Sequence, residues 1–500
     1  GRFEAEVTWE FGMNPLTCTA ADSDGNNSED LRAVLVGDTL AYGSADDDGL
    51  IVRLHDGDDG LNAIAALLTD SVDAKTVEAE LPDPLYSGTK EECTVFFGRK
   101  ICVTFKLDLV ATGLRFKTVT ASLDAKKGEL LATLVIDDPE LDWRGTGEAS
   151  SVKYSDTGTA TADKVTVTAT LRPRVVGSAI EVDISKVDAT VKDLDLGLSG
   201  SIKTVTSRLG VSLDSKVKAL LEDAVIDAVE ADLPSAMEDA LNTLTWTQEL
   251  ALGDRTATLT GELNSLDIDD LGMTVRLATT VTLDRWSLSR KGPGSLAADY
   301  GPPKFTGKPG VVVALDQDFV NQVLYASWGS GMMSESERGV DLGLDASLVK
   351  ILLPDIKDLH VVVDPLYAPV AVPGEGADLL DLQIADTMVS LYDGAPSGEP
   401  PYRFYVHGVA GLDITVKDGL LVASAGTPEL FVHVDRAPNG VDRDGLRKVI
   451  ESLLPKALDE IAGTLSDIEL PEPGGLTISS PTVSLEGPED GFVTVGGGLK

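Results

Sequence analysis

The chain has 500 residues, 43% hydrophobic and 25% charged, which allows well-packed cores and suggests about two to four domains. It carries 41 lysines and arginines against 82 aspartates and glutamates, a net charge of −41 that disfavours nucleic acid and plain electrostatic docking on anionic membranes. The composition excludes collagen and coiled coil, and no apolar run reaches the roughly 18 residues a membrane-spanning helix needs.

The sequence opens at Gly1 without methionine or a signal-like segment, so a processed or trimmed chain is expected. Residues 1–47 differ from the rest of the chain: an alternating strand from Glu4 to Phe11 leads into the polar stretch Ala20 to Asp30, read as an acidic lead-in. Gly49 to Leu54 predicts a strand, and Leu61, Ile64, Ala65 and Leu68 predict a helix by their spacing. From about residue 93 to 200 the chain alternates, as in Val103 to Leu109 and Lys164 to Leu171, which predicts antiparallel strands with one apolar face. A long helix is predicted over roughly 201–244, on the stripe Leu213, Val217, Leu220, Leu221, Ala224, Val225, Ala228 and Val229. Pro234 is expected to kink or break it. Strands return over 246–288, and the glycine and proline clusters between Lys291 and Gly310 mark a linker.

The order then repeats. Gly310 to Leu315 predicts a strand, Asp318 to Trp328 a helix, and about 340–435 a second β-rich stretch. A second long helix follows on Leu446, Val449, Ile450, Leu453, Leu454, Ala457, Leu458, Ile461 and Leu465, and then terminal strands from Leu476 and Phe492. A curved antiparallel sheet with one apolar face can wrap around one striped helix. The expected fold class is therefore α+β: two elongated barrels, each a strongly curved antiparallel sheet around a long helix, placed end to end.

Of three cysteines, Cys93 and Cys102 fall opposite each other if Phe97-Gly98 is a two-residue turn, within disulfide reach. A bridge there implies an oxidising compartment; the alternative is two reduced core cysteines, and Cys18 is left over. The same turn sets Phe96 and Phe97 beside Arg99 and Lys100, so both aromatics are candidate membrane contacts. The competing reading turns one of them inward, because strand neighbours face opposite sides.

No Gly-x-Ser-x-Gly elbow, phosphate loop, His-x-x-x-His or Cys-x-x-Cys occurs. His55, His360, His407 and His433 sit in strand-like stretches and read as surface or satisfied residues. The segments Asp22 to Asn26 and Asp46 to Gly49 look superficially like calcium loops. Leu31 occupies the place of the bidentate acid after Gly25, so they read as solvated acidic turns. No enzymatic activity, cofactor or metal is expected.

The ordered segments resemble the tubular lipid-binding family of bactericidal/permeability-increasing, lipopolysaccharide-binding and cholesteryl ester transfer proteins. The carriers are Gly49 to Leu61, Ser199 to Leu244, Val313 to Met332, Leu352 to Pro354, and Leu453 to Pro471 with the final strands. The chain is read as a bacterial member. The resemblance implies two barrels joined through a central sheet in a boomerang-like rod, each with an apolar pocket for acyl chains. It divides the chain into the lead-in 1–47, a first lipid-binding barrel 48–245, a central sheet and linker 246–300, and a second barrel 301–500. The expected lipid-lining residues are Ile64, Leu68, Val217, Leu221 and Val225 in the first barrel. In the second they are Phe319, Val323, Leu324, Ile450, Leu454 and Leu458. The expected function is binding and transfer of two-chain, phospholipid-like lipids, with transient membrane contact, in the periplasm or outside the cell. A surface structural or adhesive protein with calcium-stabilised acidic turns is the alternative. Two features depart from the family: the acidic balance argues against endotoxin neutralisation, and the candidate disulfide closes a short hairpin.

Overall fold

The computed structural model describes residues 7–23, 27–198, 200–289, 292–298, 300–305, 310–338, 353, 355–374, 378–438 and 441–500. For 27, 28, 70, 71 and 452–456 it describes the backbone alone. The strand expected at Gly49 to Leu54 runs over Asp46–His55 and lies at the centre of a seven-stranded antiparallel sheet. On one side stand Gly272–Leu283, Arg255–Asp269 and Trp246–Leu252, and on the other Val311–Asp316, Phe492–Leu499 and Ile478–Glu486. The opening strands of the two repeats are thus direct neighbours, with Val52 opposite Val313. Every residue of Val311–Asp316 is buried. Such a strand reads as a continuous apolar run because both faces are covered.

The first half adds two four-stranded sheets. One runs Val152–Thr161, Glu140–Ala149, Arg99–Arg115, Tyr86–Phe96; the other runs Ala179–Lys192, Lys164–Val176, Glu129–Asp137, Thr118–Lys126. Burial alternates residue by residue along Glu129–Asp137, so Leu130, Ala132, Leu134 and Ile136 all face the core. The helices α1 (Leu61–Leu67), α2 (Ala74–Glu80), α3 (Gly200–Leu209) and α4 (Leu213–Asn242) accompany the sheets.

The helix expected over 201–244 is interrupted, but not at Pro234. Gly210 takes a left-handed φ of 71°, which ends α3, and the Ser212 hydroxyl accepts from Ser215 N to start α4. Pro234 sits inside α4. Val229, Leu233, Met237 and Leu241 are buried on either side of it, and that packing holds the helix through the missing hydrogen bond. The polar flank of α4 seals a sheet edge: Val191 N, Val182 N and Ile180 N donate to the side chains of Glu222, Glu238 and Asn242.

The second half carries α5 (Gln317–Ser330), buried at every position, and a second curled sheet. Its main order is Glu335–Arg338, Leu359–Pro365, Leu380–Asp393, Tyr402–Lys417, Leu420–Ala425. Val370–Pro373 and Glu429–Arg436 add to it. The helix α6 (Arg443–Gly463) follows, so the architecture is α+β and mostly strand, with two curled half-barrel sheets. Residues of the lead-in form the hairpin Gly12–Ala21/Asn27–Val36, whose Met13 packs with Leu296 of the linker and with Val370, Val372 and Ala385 of the second half.

Candidate functional site

The buried apolar residues of the second half fall into two groups. Leu446 and Ile450 of α6 join Val361, Val389, Tyr402 and Phe404 in a distal cluster. Leu458, Ile461 and Ala462 of the same helix, with Leu465 just past its end, belong to the large core that continues through the central sheet into the first half. Where the two groups meet, an open cleft separates α6 from the sheet. Val361, Val363 and Pro365 form one wall, at the i, i+2, i+4 spacing that puts strand residues on one face. Ile450, Ala457, Leu458 and Ile461 form the opposite wall from one face of α6. Met332 and Met333, after α5, complete the lining with Ile384 and Val389, and Thr387, Glu335 and Glu460 supply polar groups. A predominantly apolar cleft with a few polar groups suits a ligand with an aliphatic body.

Of the residues expected to line lipid, Ile450 and Leu458 lie on this cleft. The side chain of Leu454 is outside the described residues. Phe319, Val323 and Leu324 are fully buried on α5, where Phe319 meets Trp246 edge-on at 6.3 Å. Ile64, Leu68, Val217, Leu221 and Val225 are at most 2% exposed in the first-half core. None of these eight lines the cleft. The residues that sequence reasoning missed are Met332, Met333, Val361, Val363, Ile384 and Val389. Their periodicity marks a strand face or a helix end, not the gap they border.

The hairpin of Tyr86–Phe96 and Arg99–Arg115 pairs Cys93 with Cys102, and the two form a disulfide, Cα to Cα 4.0 Å. Cys18 is free and exposed. Phe97 and Gly98 both have positive φ, 48° and 72°, as a two-residue turn of the primed type requires. The next strand, Glu140–Ala149, first pairs at Phe105. The tip therefore projects about 23 Å past the sheet at roughly 3.3 Å per residue. Neither aromatic turns inward: Phe96 is 59% and Phe97 91% exposed, with Val95 at 72% and Ile101 at 49%.

Among titratable groups, His407 is buried against Asp386, Nε2 to Oδ1 3.3 Å. Burial first, then Arg32 and His433, pushes its imidazole down to about 4. His360 shares a 2.8 Å hydrogen bond with Ser336. His55 and His433 are buried. Asp46, expected in a solvated turn, instead begins a central strand and lies near Asp316 and Asp318. Burial and the neighbouring carboxylates raise Asp46 to about 6 and Asp316 to about 9.

No family model matches the sequence. No curated protein matches it either. Among solved structures, the chain is similar to a lipopolysaccharide binding protein at a TM-score of 0.54 and 15% identity, covering 91% of this chain and 99% of that one. It also aligns with P47 from Clostridium botulinum A2 at a TM-score of 0.31 and 10% identity, covering 90% and 97%. The first likeness is one of fold: the chain is built like the lipopolysaccharide binding protein over nearly the whole length of both.

Proposed function

We propose that the protein binds lipids by taking aliphatic chains into the cleft between α6 and the second-half sheet. The observation that carries this reading is the cleft itself, an aliphatic slot where two apolar clusters fail to merge. The likeness in fold to a lipopolysaccharide binding protein supports it. Each buried methylene contributes about 0.8 kcal/mol, so dispersed contacts suffice without specific polar partners. On this reading the protein is a non-enzymatic carrier of phospholipid-like molecules, a tubular lipid-binding protein with two barrels in a boomerang-like rod. It works outside the cytoplasm, as the hairpin disulfide suggests. It meets membranes transiently through Phe96 and Phe97, and nucleic acid is not a partner.

Native mass spectrometry of the purified chain, followed by organic extraction, tests the reading. Stoichiometric lipid that disappears when Ala457→Trp fills the cleft is the expected result. A lipid-free mass that does not change after incubation with phospholipid vesicles would overturn it and favour a structural surface protein.

A further inference from the structure

Three aspartates from distant parts of the sequence converge where the two halves are joined. Asp46 opens the central strand Asp46–His55. Asp316 closes the neighbouring strand Val311–Asp316 and caps α5, its side chain accepting from Asp318 N. Asp318 lies in the first turn of α5 and accepts from Ala298 N at 2.8 Å, which fastens the segment entering the second half. One carboxylate oxygen from each lies within 4.8 Å of the others. Ligands of a single calcium ion, at 2.3–2.6 Å from it, stand no more than about 5 Å apart, so one ion can reach all three.

A separate observation points to the same place. Thr279 stands opposite Asp46 on the adjoining strand and is fully buried, and its hydroxyl oxygen has no hydrogen-bond partner. The Oδ2 of Asp46 is also buried without a partner. These two oxygens crowd one point above Gly49: a Cβ there would lie 1.9 Å from Thr279 Oγ1 and 2.8 Å from Asp46 Oδ2. Gly49 leaves that space open. A buried hydroxyl oxygen and a buried carboxylate oxygen that border one open space, neither with a partner, can both be satisfied by one shared electrophile.

We propose that Asp46, Asp316, Asp318 and Thr279 bind one calcium ion at the seam between the two halves. An all-oxygen donor set selects a hard cation rather than zinc, which prefers nitrogen and sulfur. Several carboxylates in an irregular arrangement suit calcium better than magnesium, which demands a near-ideal octahedron and keeps its waters. The ion would clamp the first strand of the first half to the strand–helix junction that opens the second.

The test uses the full chain, stripped with a chelator and studied at physiological ionic strength, where diffuse surface binding is screened. Calorimetric titration with calcium chloride should show one saturable site per chain. The melting temperature should rise with calcium and much less with an equal concentration of magnesium. Asp46→Asn and Thr279→Val, both of which spare the α5 cap, should each weaken calcium binding by about tenfold or more. Absence of a saturable site would overturn the proposal. So would an equal calcium response in the parent chain and both variants, because that response would be general screening of the acidic surface. Should Asp46→Asn fail to fold, Thr279→Val alone decides, since it keeps every carboxylate.

Discussion

The two halves use the same order of elements and pack them differently. In the first, the 30-residue α4 is buried at nearly every turn from Leu213 to Leu241. Ala224, Ala228 and Ala240 let it approach the sheet, and Glu222, Glu238 and Asn242 tie its flank to backbone amides along the edge strand. Its core is continuous with the central sheet. In the second, the 21-residue α6 divides its apolar residues between two clusters, and the space between them is the cleft. A curled sheet around a helix therefore does not by itself fix where a pocket opens. Whether one forms depends on whether the helix's apolar stripe matches the sheet along its whole length.

This contrast can be broken most sharply at Leu221. It is 2% exposed, and Leu221→Ala should lower unfolding stability by about 2–5 kcal/mol, because a packed interior cannot collapse around the void. Val363→Ala, on the half-buried cleft wall, should lower it by less than about 1 kcal/mol. Urea denaturation of the two variants checks this, and equal losses would mean the cleft wall is as tightly packed as the first-half core. Next in size, Ala457→Trp should remove bound lipid while leaving the urea midpoint close to the parent value. Loss of lipid from a chain whose midpoint falls as far as that of Leu221→Ala would instead report unfolding.

A smaller effect is expected at the hairpin tip. The double change Phe96→Ser/Phe97→Ser should weaken binding to phospholipid vesicles by about tenfold or more per ring, at roughly 1.5–3 kcal/mol for each buried aromatic. Both rings are exposed in the folded chain, so its melting temperature should not move. Vesicle flotation together with thermal melts would show this, and unchanged flotation would remove the tip from the membrane-contact reading.

The smallest is a pH effect confined to the second half. The folded-state pKa of His407 lies below its ordinary 6.5, at about 4. The stability it contributes is therefore full above pH 6.5 and is lost as pH falls towards 4. The carboxyl of Asp386, raised by burial, acts in the opposite sense and makes the net loss smaller. His407→Gln should flatten the decline of melting temperature over that window. An unaltered slope would assign the decline to other groups.

Much of the fold was legible in the sequence because its signals are local. Alternation along Lys164–Val176 and the stripe from Leu213 to Val229 announce which face each element buries. The Phe97-Gly98 turn sets Cys93 against Cys102 by counting alone. The errors arose where packing outweighed a local rule. Pro234 breaks helices in general, yet buried neighbours on both sides carry α4 through it, and the interruption falls at Gly210. Asp46 looked like part of a solvated loop, but strand pairing with Gly272–Leu283 draws it inward.

The amino-acid pattern alone determined the repeat of strand, helix, sheet and helix, the apolar face of each element, the acidic surface and the hairpin with its disulfide register. Each depends on spacing within one segment, and side-chain direction follows backbone periodicity. Only the tertiary structure decided that the apolar face of α4 is buried along its length while a cleft opens beside α6, and that Asp46, Thr279, Asp316 and Asp318 meet. Those outcomes depend on how far one surface sits from another, and a difference of a few ångströms separates a packed core from a cleft.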